Sequence, residues 1–343
     1  MMTKQDRRIS MKLLLYRSIK IALGVIGAIF LAEVIGLMYS TTAGVIAMLS
    51  ILDTRKQTLY VGFKRIWTSL MAILIVTALF ALLGHNLLVF GLFLLFYVPL
   101  MTWIKASEAL TVNTVLVTHI YTLQSLGVGI IMNEMALTII GVLIAWVLNL
   151  HMPNLENEIR NLQMEVEDKI KGILEQIRAK LMGQEKSVST DLLAELKKQL
   201  DEGTKKAYIY HNNYILKDHR YFIKYFQMRK EQYRVLKHMD QLFHETFMTV
   251  KEALPIGAFT HRLVTELNEC NNGEDLLMAL KALKNHYKAS ELPVTREEFE
   301  NRATLFQYLN DLEHFIEIKT RFMVDYGEIV YCHYEKIPIK GRK

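Results

Sequence analysis

The sequence predicts an all-α protein in two parts: a six-helix transmembrane bundle over residues 1–152 and a cytoplasmic antiparallel helical bundle over 153–343. Three observations carry that prediction. Six apolar segments precede Pro153, the lysines and arginines between them fall on alternate connections only, and the chain beyond Pro153 becomes charged with helical apolar periodicity. Cytoplasmic connections of membrane proteins are enriched in Lys and Arg, so this alternation places both chain ends inside the cell.

The basic connections lie before segment one (Lys4, Arg7, Arg8, Lys12, Arg17, Lys20), between two and three (Arg55, Lys56, Lys64, Arg65) and between four and five (Lys105). Those around Tyr39–Thr42, Gly84–Asn86 and Gln124–Asn133 carry neither residue. Residues 1–152 hold 11 Lys+Arg against 5 Asp+Glu, while the remainder balances 30 against 30. The basic character thus comes from membrane-flanking connections, and nucleic acid is not an expected partner.

A bilayer core takes about 20 apolar residues per helix. Segment one, Ile19–Leu37, meets that length, as do Ile66–Leu83, Leu87–Ile104, Ala109–Ile131 and Asn133–Met152. The second, Ala43–Leu52, is short and either borrows interfacial residues from Tyr39 to Tyr60 or runs through a thinned region; the alternation of charge keeps it as a span. Trp67, Trp103 and Trp146 fall near the expected cytoplasmic ends, where indoles suit the headgroup boundary. Gly24, Ala28, Ala32 and Gly36 form a small-residue stripe for close helix approach or for a moving gate, with a shorter version in Gly141 and Ala145.

Segment five carries the strongest functional signal. Thr111, Thr114, Thr118, Tyr121 and Ser125 recur at three- and four-residue spacing, one polar helix face, with Asn113, His119 and Gln124 on other sides. So polar a helix belongs inside the bundle, either bonding to its neighbours or lining a path for substrate or water. Intramembrane ionisable groups are functional candidates because burying charge in lipid is costly. They are Arg17, Lys20, Glu33, Lys105, Glu108, His119 and Glu134. Glu33 and His119 are candidates for carrying a coupling proton. Arg17 and Lys20 are candidates for drawing an anion to the cytoplasmic mouth, or else are snorkelling anchors. Lys105 and Glu108, one helical turn apart, are expected to pair.

Beyond Pro153, Leu155, Ile159, Leu162, Val166, Ile170, Ile173, Ile177 and Leu181 make one apolar stripe on a long helix. A turn is expected over Gly183–Ser189, then a short helix Asp191–Glu202 closing at Gly203, and a long aromatic-rich helix from Thr204 to about Leu254, ended by Pro255. Its tyrosines and phenylalanines are read as core, or as a partner groove. Helices near Phe259–Glu269 and Glu274–Ala289 follow. Thr295 and Glu298, at capping-box spacing, open a last helix to about Tyr334 with Leu305, Leu309, Leu312, Ile316, Met323, Tyr326 and Val330 on its apolar face.

Two cysteines, Cys270 and Cys332, are expected to be reduced in the cytosol, with no zinc or disulfide framework. No phosphate loop, metalloprotease H-E-x-x-H, nucleophile elbow or dinucleotide fingerprint occurs, so neither enzyme chemistry nor a bound cofactor or metal is expected.

Several stretches resemble one family. Tyr16-Arg17-Ser18-Ile19-Lys20-Ile21-Ala22-Leu23-Gly24, Tyr39-Ser40-Thr41-Thr42-Ala43-Gly44-Val45, Asp53-Thr54-Arg55-Lys56, His119-Ile120-Tyr121-Thr122 and Leu148-Asn149-Leu150-His151-Met152-Pro153-Asn154-Leu155-Glu156 are similar to the aromatic acid exporters of bacteria, in their Gram-positive-type branch. The resemblance covers essentially the whole chain and implies a six-span membrane domain joined to a helical C-terminal domain. It also implies a plasma-membrane exporter of aromatic or other organic acids, with a small organic anion as cargo. It transfers no site residues. Proton coupling follows from the lack of a nucleotide motor, and the helical domain would regulate transport or assemble protomers. The alternative is a membrane sensor or scaffold that acts through that domain without transport.

Overall fold

The computed structural model describes residues 4–152, 154–183, 190–214, 219–242, 253–268 and 270–327. Twelve α-helices and one 3-10 turn make up its regular structure, with no strand among the described residues. The chain forms two compact units, residues 1–153 with 212–217, and residues 154–211 with 218–343.

The first unit contains α1 (Lys4–Val34), α2 (Ser40–Ser50), α3 (Arg55–Leu83), α4 (Leu87–Trp103), the 3-10 turn Ser107–Ala109, α5 (Leu110–Leu123) and α6 (Val128–Leu150). Polar caps set two of the starts: the Thr54 side chain accepts from the Gln57 N–H, and that of Asn86 from the Val89 N–H.

The expectation of six spans, five of them of full length, is corrected here. Only Leu14–Val34, Arg55–Leu83 and Val128–Leu150 are long and apolar enough to cross a bilayer, among the described residues. α2, α4 and α5 have 11, 17 and 14 residues. The reason is local backbone geometry. Tyr39, Lys105 and Gln124 adopt left-handed conformations that break the helix at the start of α2, ahead of the 3-10 turn and at the end of α5. The apolar residues Val128, Ile130 and Ile131, read from composition as the end of segment five, open α6 instead.

α2 lies between α1 and α6, and α3 packs on α6, α5 and α4. Ala28 and Ala32 of the small-residue stripe are fully buried, and a Cβ on Gly24 would stand 2.6 Å from Ile51 Cδ1. The stripe therefore serves close packing within the chain, whereas Gly36 lies in the turn after α1. Trp67 and Trp103 are exposed, but Trp146 donates its indole N–H to Thr58 O at 3.1 Å.

The second unit holds α7 (Glu156–Leu181), α8 (Thr190–Asn213), α9 (Tyr221–Leu242), α10 (Ala253–Glu266), α11 (Glu274–Lys288) and α12 (Arg296–Tyr326). The whole stripe from Leu155 to Leu181 is buried, against α9 and α10. Leu305, Leu309, Leu312 and Ile316 of α12 are buried as well, and the Thr295 hydroxyl accepts from the Glu298 N–H at 3.1 Å. Tyr221, Phe222, Tyr225 and Phe226 are core residues, stacked edge-on with one another and near Phe322.

Three helix boundaries differ from expectation. α8 runs straight through Gly203, where a Cβ would meet the Phe226 ring at 2.2 Å; that glycine serves a close crossing of α8 and α9 rather than a helix end. The expected long helix from Thr204 is interrupted, since α8 ends at Asn213 and α9 begins at Tyr221. Pro255 sits in the first turn of α10, where its missing N–H has no helical acceptor to lose, so it opens a helix instead of closing one.

Cys270 lies in the turn between α10 and α11. Asn268 Oδ1 accepts from the N–H groups of Cys270 and Asn271, and Lys319 and Thr320 of α12 donate to Asn268 O and Asn272 O, so the turn holds this cysteine against α12. Residues 184–189, Cys332, Val330 and Tyr334, named in the sequence reading, lie outside the described residues.

Candidate functional site

α5 and α6 are consecutive helices joined through residues 124–127. Across this connection His119 Nδ1 lies 2.8 Å from Glu134 Oε2. The Glu134 side chain is 0% exposed and that of His119 12%. The imidazole stacks on the Tyr39 ring, with centroids 4.0 Å apart and planes 10° from parallel. Its Nε2 lies 3.5 Å from Thr42 Oγ1. The left-handed backbone at Tyr39 (φ 58°) turns this ring back over α5.

Asn133 ties the pair to the α1–α2 turn. Its Oδ1 accepts from the Met38 N–H at 2.8 Å, and its Nδ2 donates to Met38 O at 3.1 Å and to Glu134 Oε1 at 3.1 Å. An open depression of about 620 Å³ lies beside this arrangement, lined by Met38, Ser125, Gly129 and Asn133 among others. One buried carboxyl group, one imidazole and a direct hydrogen bond between them can hold or pass a single proton at the edge of this opening.

The unit's second polar centre is built on Asn113, which is fully buried. Its Nδ2 donates to Tyr97 OH at 2.6 Å and to Thr68 Oγ1 at 3.0 Å, and Ser69 donates to its Oδ1 at 2.7 Å. Tyr97 in turn donates to Thr68 O at 3.0 Å, so α3, α4 and α5 are locked by a closed network.

A third feature is a buried cation. Arg65 of α3 donates to Ser50 Oγ at 2.6 Å and Ile46 O at 3.3 Å in the last turns of α2, and to Glu108 O at 3.4 Å ahead of α5. Arg65 thus joins the end of α2 to the start of α5, while His119, near the end of α5, meets the start of α2. The two short helices therefore run antiparallel. Arg65 forms no ion pair among the described residues, and its buried Nε has no hydrogen-bond partner. The carbonyl end of α2 supplies the partial negative charge that makes this burial tolerable.

The structure separates the other residues singled out from sequence. Arg17 forms an exposed ion pair with Asp53 at 3.0 Å. Lys20 is buried and donates to His151 O at 3.3 Å, beside Tyr16, whose hydroxyl donates to the same carbonyl at 2.9 Å. Glu33 is exposed and accepts from Ser40 at 3.4 Å. On α5, Thr114 and Thr118 are half-buried and turn their hydroxyls onto Leu110 O (2.9 Å) and Val115 O (2.6 Å) of their own helix. Thr111 is exposed, Tyr121 packs against Phe80 and Phe90, and Ser125 reaches the depression. Lys105 and Glu108 make no ion pair, because the left-handed residue and the 3-10 turn keep them off a shared α-helical turn.

Two residues gain weight that sequence did not give them. Glu134 stands one position into an apolar segment, which marked it as ionisable but not as the partner of His119. Arg65 sat in a basic connection and read as a surface charge. Among the described residues no three His, Cys, Asp or Glu side chains converge as a metal site would require.

The chain is similar in sequence to known proteins along most of its length. Residues 11–152 match the family model "Aromatic acid exporter family member 1", and residues 156–320 match "Putative aromatic acid exporter C-terminal domain". The chain is 29% identical over 307 residues to the uncharacterized protein YqjA of Bacillus subtilis (strain 168), covering 90% of this chain and 95% of that one. A crystal structure of a membrane protein from Clostridium difficile 630 shares 29% identity with a TM-score of 0.43, covering 48% of this chain and 99% of that one. With its apolar membrane-length helices and two successive domain matches, the chain is a helical membrane protein that belongs to the aromatic acid exporter family.

Proposed function

We propose that this protein is a proton-coupled secondary exporter of aromatic or other organic acids in the bacterial plasma membrane. The observation that carries the reading is the enclosed His119–Glu134 pair, a carboxyl group hydrogen-bonded to an imidazole within the apolar unit and beside an open depression. The bias of Lys and Arg supports a topology with both termini and the helical C-terminal unit in the cytoplasm, and the depression toward the outer side. Within this topology α2 returns the chain inward. Its 11 residues rise about 16 Å, about half of a bilayer core.

The polar face of α5 (Thr111, Thr114, Thr118, Tyr121, Ser125) borders the path. Arg17 and Lys20 stand at its inner mouth, and Arg65, a buried cation in no direct ion pair among the described residues though close enough to Glu108 to feel its charge, is the group best suited to hold an anionic cargo. Glu134 takes the coupling role with His119, and Glu33, exposed beyond the end of the buried pair, is a secondary candidate.

Efflux of an aromatic carboxylate into energised inverted vesicles tests the proposal. Glu134→Gln and His119→Gln should each flatten the pH dependence of transport at matched protein levels, with Glu33→Gln close to the parent. Parent-like pH profiles in both buried variants would remove the pair from the mechanism. A parent that moves no aromatic acid under any gradient would favour a sensor or scaffold acting through the helical unit.

A further inference from the structure

The C-terminal unit has a pocket of its own, remote in sequence from every membrane residue discussed above. It opens where α11 ends and α12 begins and has a volume of about 330 Å³. Small-molecule sites occupy about 300–1,000 Å³ and combine apolar walls with a few polar groups. This one has three aromatic rings in its wall, Tyr287, Phe299 and Phe306, over a floor that includes the buried Leu305.

Phe299 is 60% exposed, although it lies on a helix whose opposite face has ample core to enter. A ring in that position covers the pocket rather than filling the bundle. Lys284 sets its ammonium 5.7 Å from the Phe306 ring centroid while bonding Asn310 and Glu313, which fixes that ring's surroundings.

The pocket wall carries Lys288, Arg302 and one acid, Glu291, and the Arg302 guanidinium is already paired with Glu298, which leaves Lys288 as the cation open to a ligand. Arg302 is positioned on the wall by Glu298 Oε1 at 2.7 Å and by the Glu291 carbonyl. Lys288, at the rim, makes no hydrogen bond or ion pair among the described residues, so its ammonium is available to a ligand. An aromatic slot beside an available cation matches a flat ring bearing one carboxylate: the ring is held by offset or edge contacts and the carboxylate by a charge-assisted hydrogen bond.

We propose that this pocket binds a small aromatic monocarboxylate, so that the C-terminal unit senses the class of compound the membrane unit exports. Only the identification of that compound as the cargo rests on the export reading; the pocket's preference follows from its own walls.

The full-length protein in detergent, titrated with 4-fluorobenzoate and followed by fluorine NMR, tests the assignment. Lys288→Glu should weaken binding about tenfold, the effect of removing one charge-assisted contact and opposing the anion. Phe299→Ala should weaken it about fivefold through lost ring contact. Both side chains are exposed, so neither change threatens the fold. Lys281→Glu, the same charge change on α11 away from the pocket, should leave this binding unchanged. Benzamide, which keeps the ring but lacks the charge, should not compete.

Parent-like affinity in both Lys288→Glu and Phe299→Ala would overturn the proposal, as would the absence of 4-fluorobenzoate binding to the parent. If vesicles export no aromatic acid while the pocket variants still lose binding, sensing stands and the export reading falls. If export proceeds and the pocket variants bind normally, the reverse holds.

Discussion

Replacing Arg229 by methionine should be among the most damaging single changes in the C-terminal unit. Arg229 is fully buried, and each arm of its guanidinium is used. Nη2 lies 2.5 Å from Glu167 Oε1 on α7, Nη1 donates to Gln232 Oε1 at 2.7 Å, and Nε donates to Tyr225 OH at 3.2 Å. Tyr225 donates to the same Glu167 oxygen at 2.9 Å, and Gln232 continues to Phe315 O of α12 at 2.8 Å. One cation therefore ties α7, α9 and α12. Removing one partner of a buried pair costs about 3–5 kcal/mol, because the remaining charge keeps its desolvation cost without compensation.

Against a total stability of about 5–15 kcal/mol, that is a large share. With a urea dependence of about 2 kcal/mol per M, the unfolding midpoint of residues 154–343 should fall by about 2 M, read by far-ultraviolet circular dichroism. Adding Glu167→Gln removes the stranded charge and keeps an acceptor for Tyr225, so the double variant should recover about 2 kcal/mol or more of the loss. A single variant that costs under about 1 kcal/mol, or a double variant no more stable than the single, would refute this account of the pair.

The same pair predicts an acid response. Burial pushes the Glu167 carboxyl up, but the charges of Arg229 and Lys319 and the hydrogen bonds from Tyr225 and Arg229 outweigh it and hold the group below its ordinary 4.5. Its contribution is therefore complete above that value and lost as pH falls through the folded pKa, so Glu167→Gln should lessen the acid sensitivity seen in pH-dependent urea titrations. Gly203→Val should destabilise the unit by about 2–4 kcal/mol, through overpacking against Phe226 and the β-branched cost in a helix, measured by the same unfolding curves. In vesicles, Arg65→Gln should reduce anion efflux more than Arg17→Gln, because only Arg65 is buried and in no direct ion pair among the described residues; equal effects would place the anion elsewhere. Cysteine labels at Asn86 and Gln124 should react from outside intact cells and one at Glu195 should not, with the opposite pattern overturning the orientation.

Much of the helical structure was legible because helix formation is a local event recorded by periodicity. The α7 stripe from Leu155 to Leu181 repeats at helical spacing and is buried along its whole length. The Thr295–Glu298 cap was equally readable, since a cap depends on residues only three apart. Span lengths were less so. Composition ran continuously across Gln124, and only the left-handed backbone there divides α5 from α6. Gly203 misled for a related reason: a glycine favours a helix end by local preference, while the Phe226 ring that requires it comes from another helix.

What sequence by itself determined was the all-helical class, the change in character near Pro153, and the set of polar residues within apolar segments. Tertiary structure decided which of those residues act together. His119 and Glu134 are 15 positions apart and meet because the α5–α6 turn sets their register. Arg65 became a buried cation because the ends of α2 and of the 3-10 turn close around it, and Glu33 stayed exposed because α1 ends beside it. Burial and pairing depend on how distant segments pack, and charge is decisive only once packing has removed the water that would otherwise screen it.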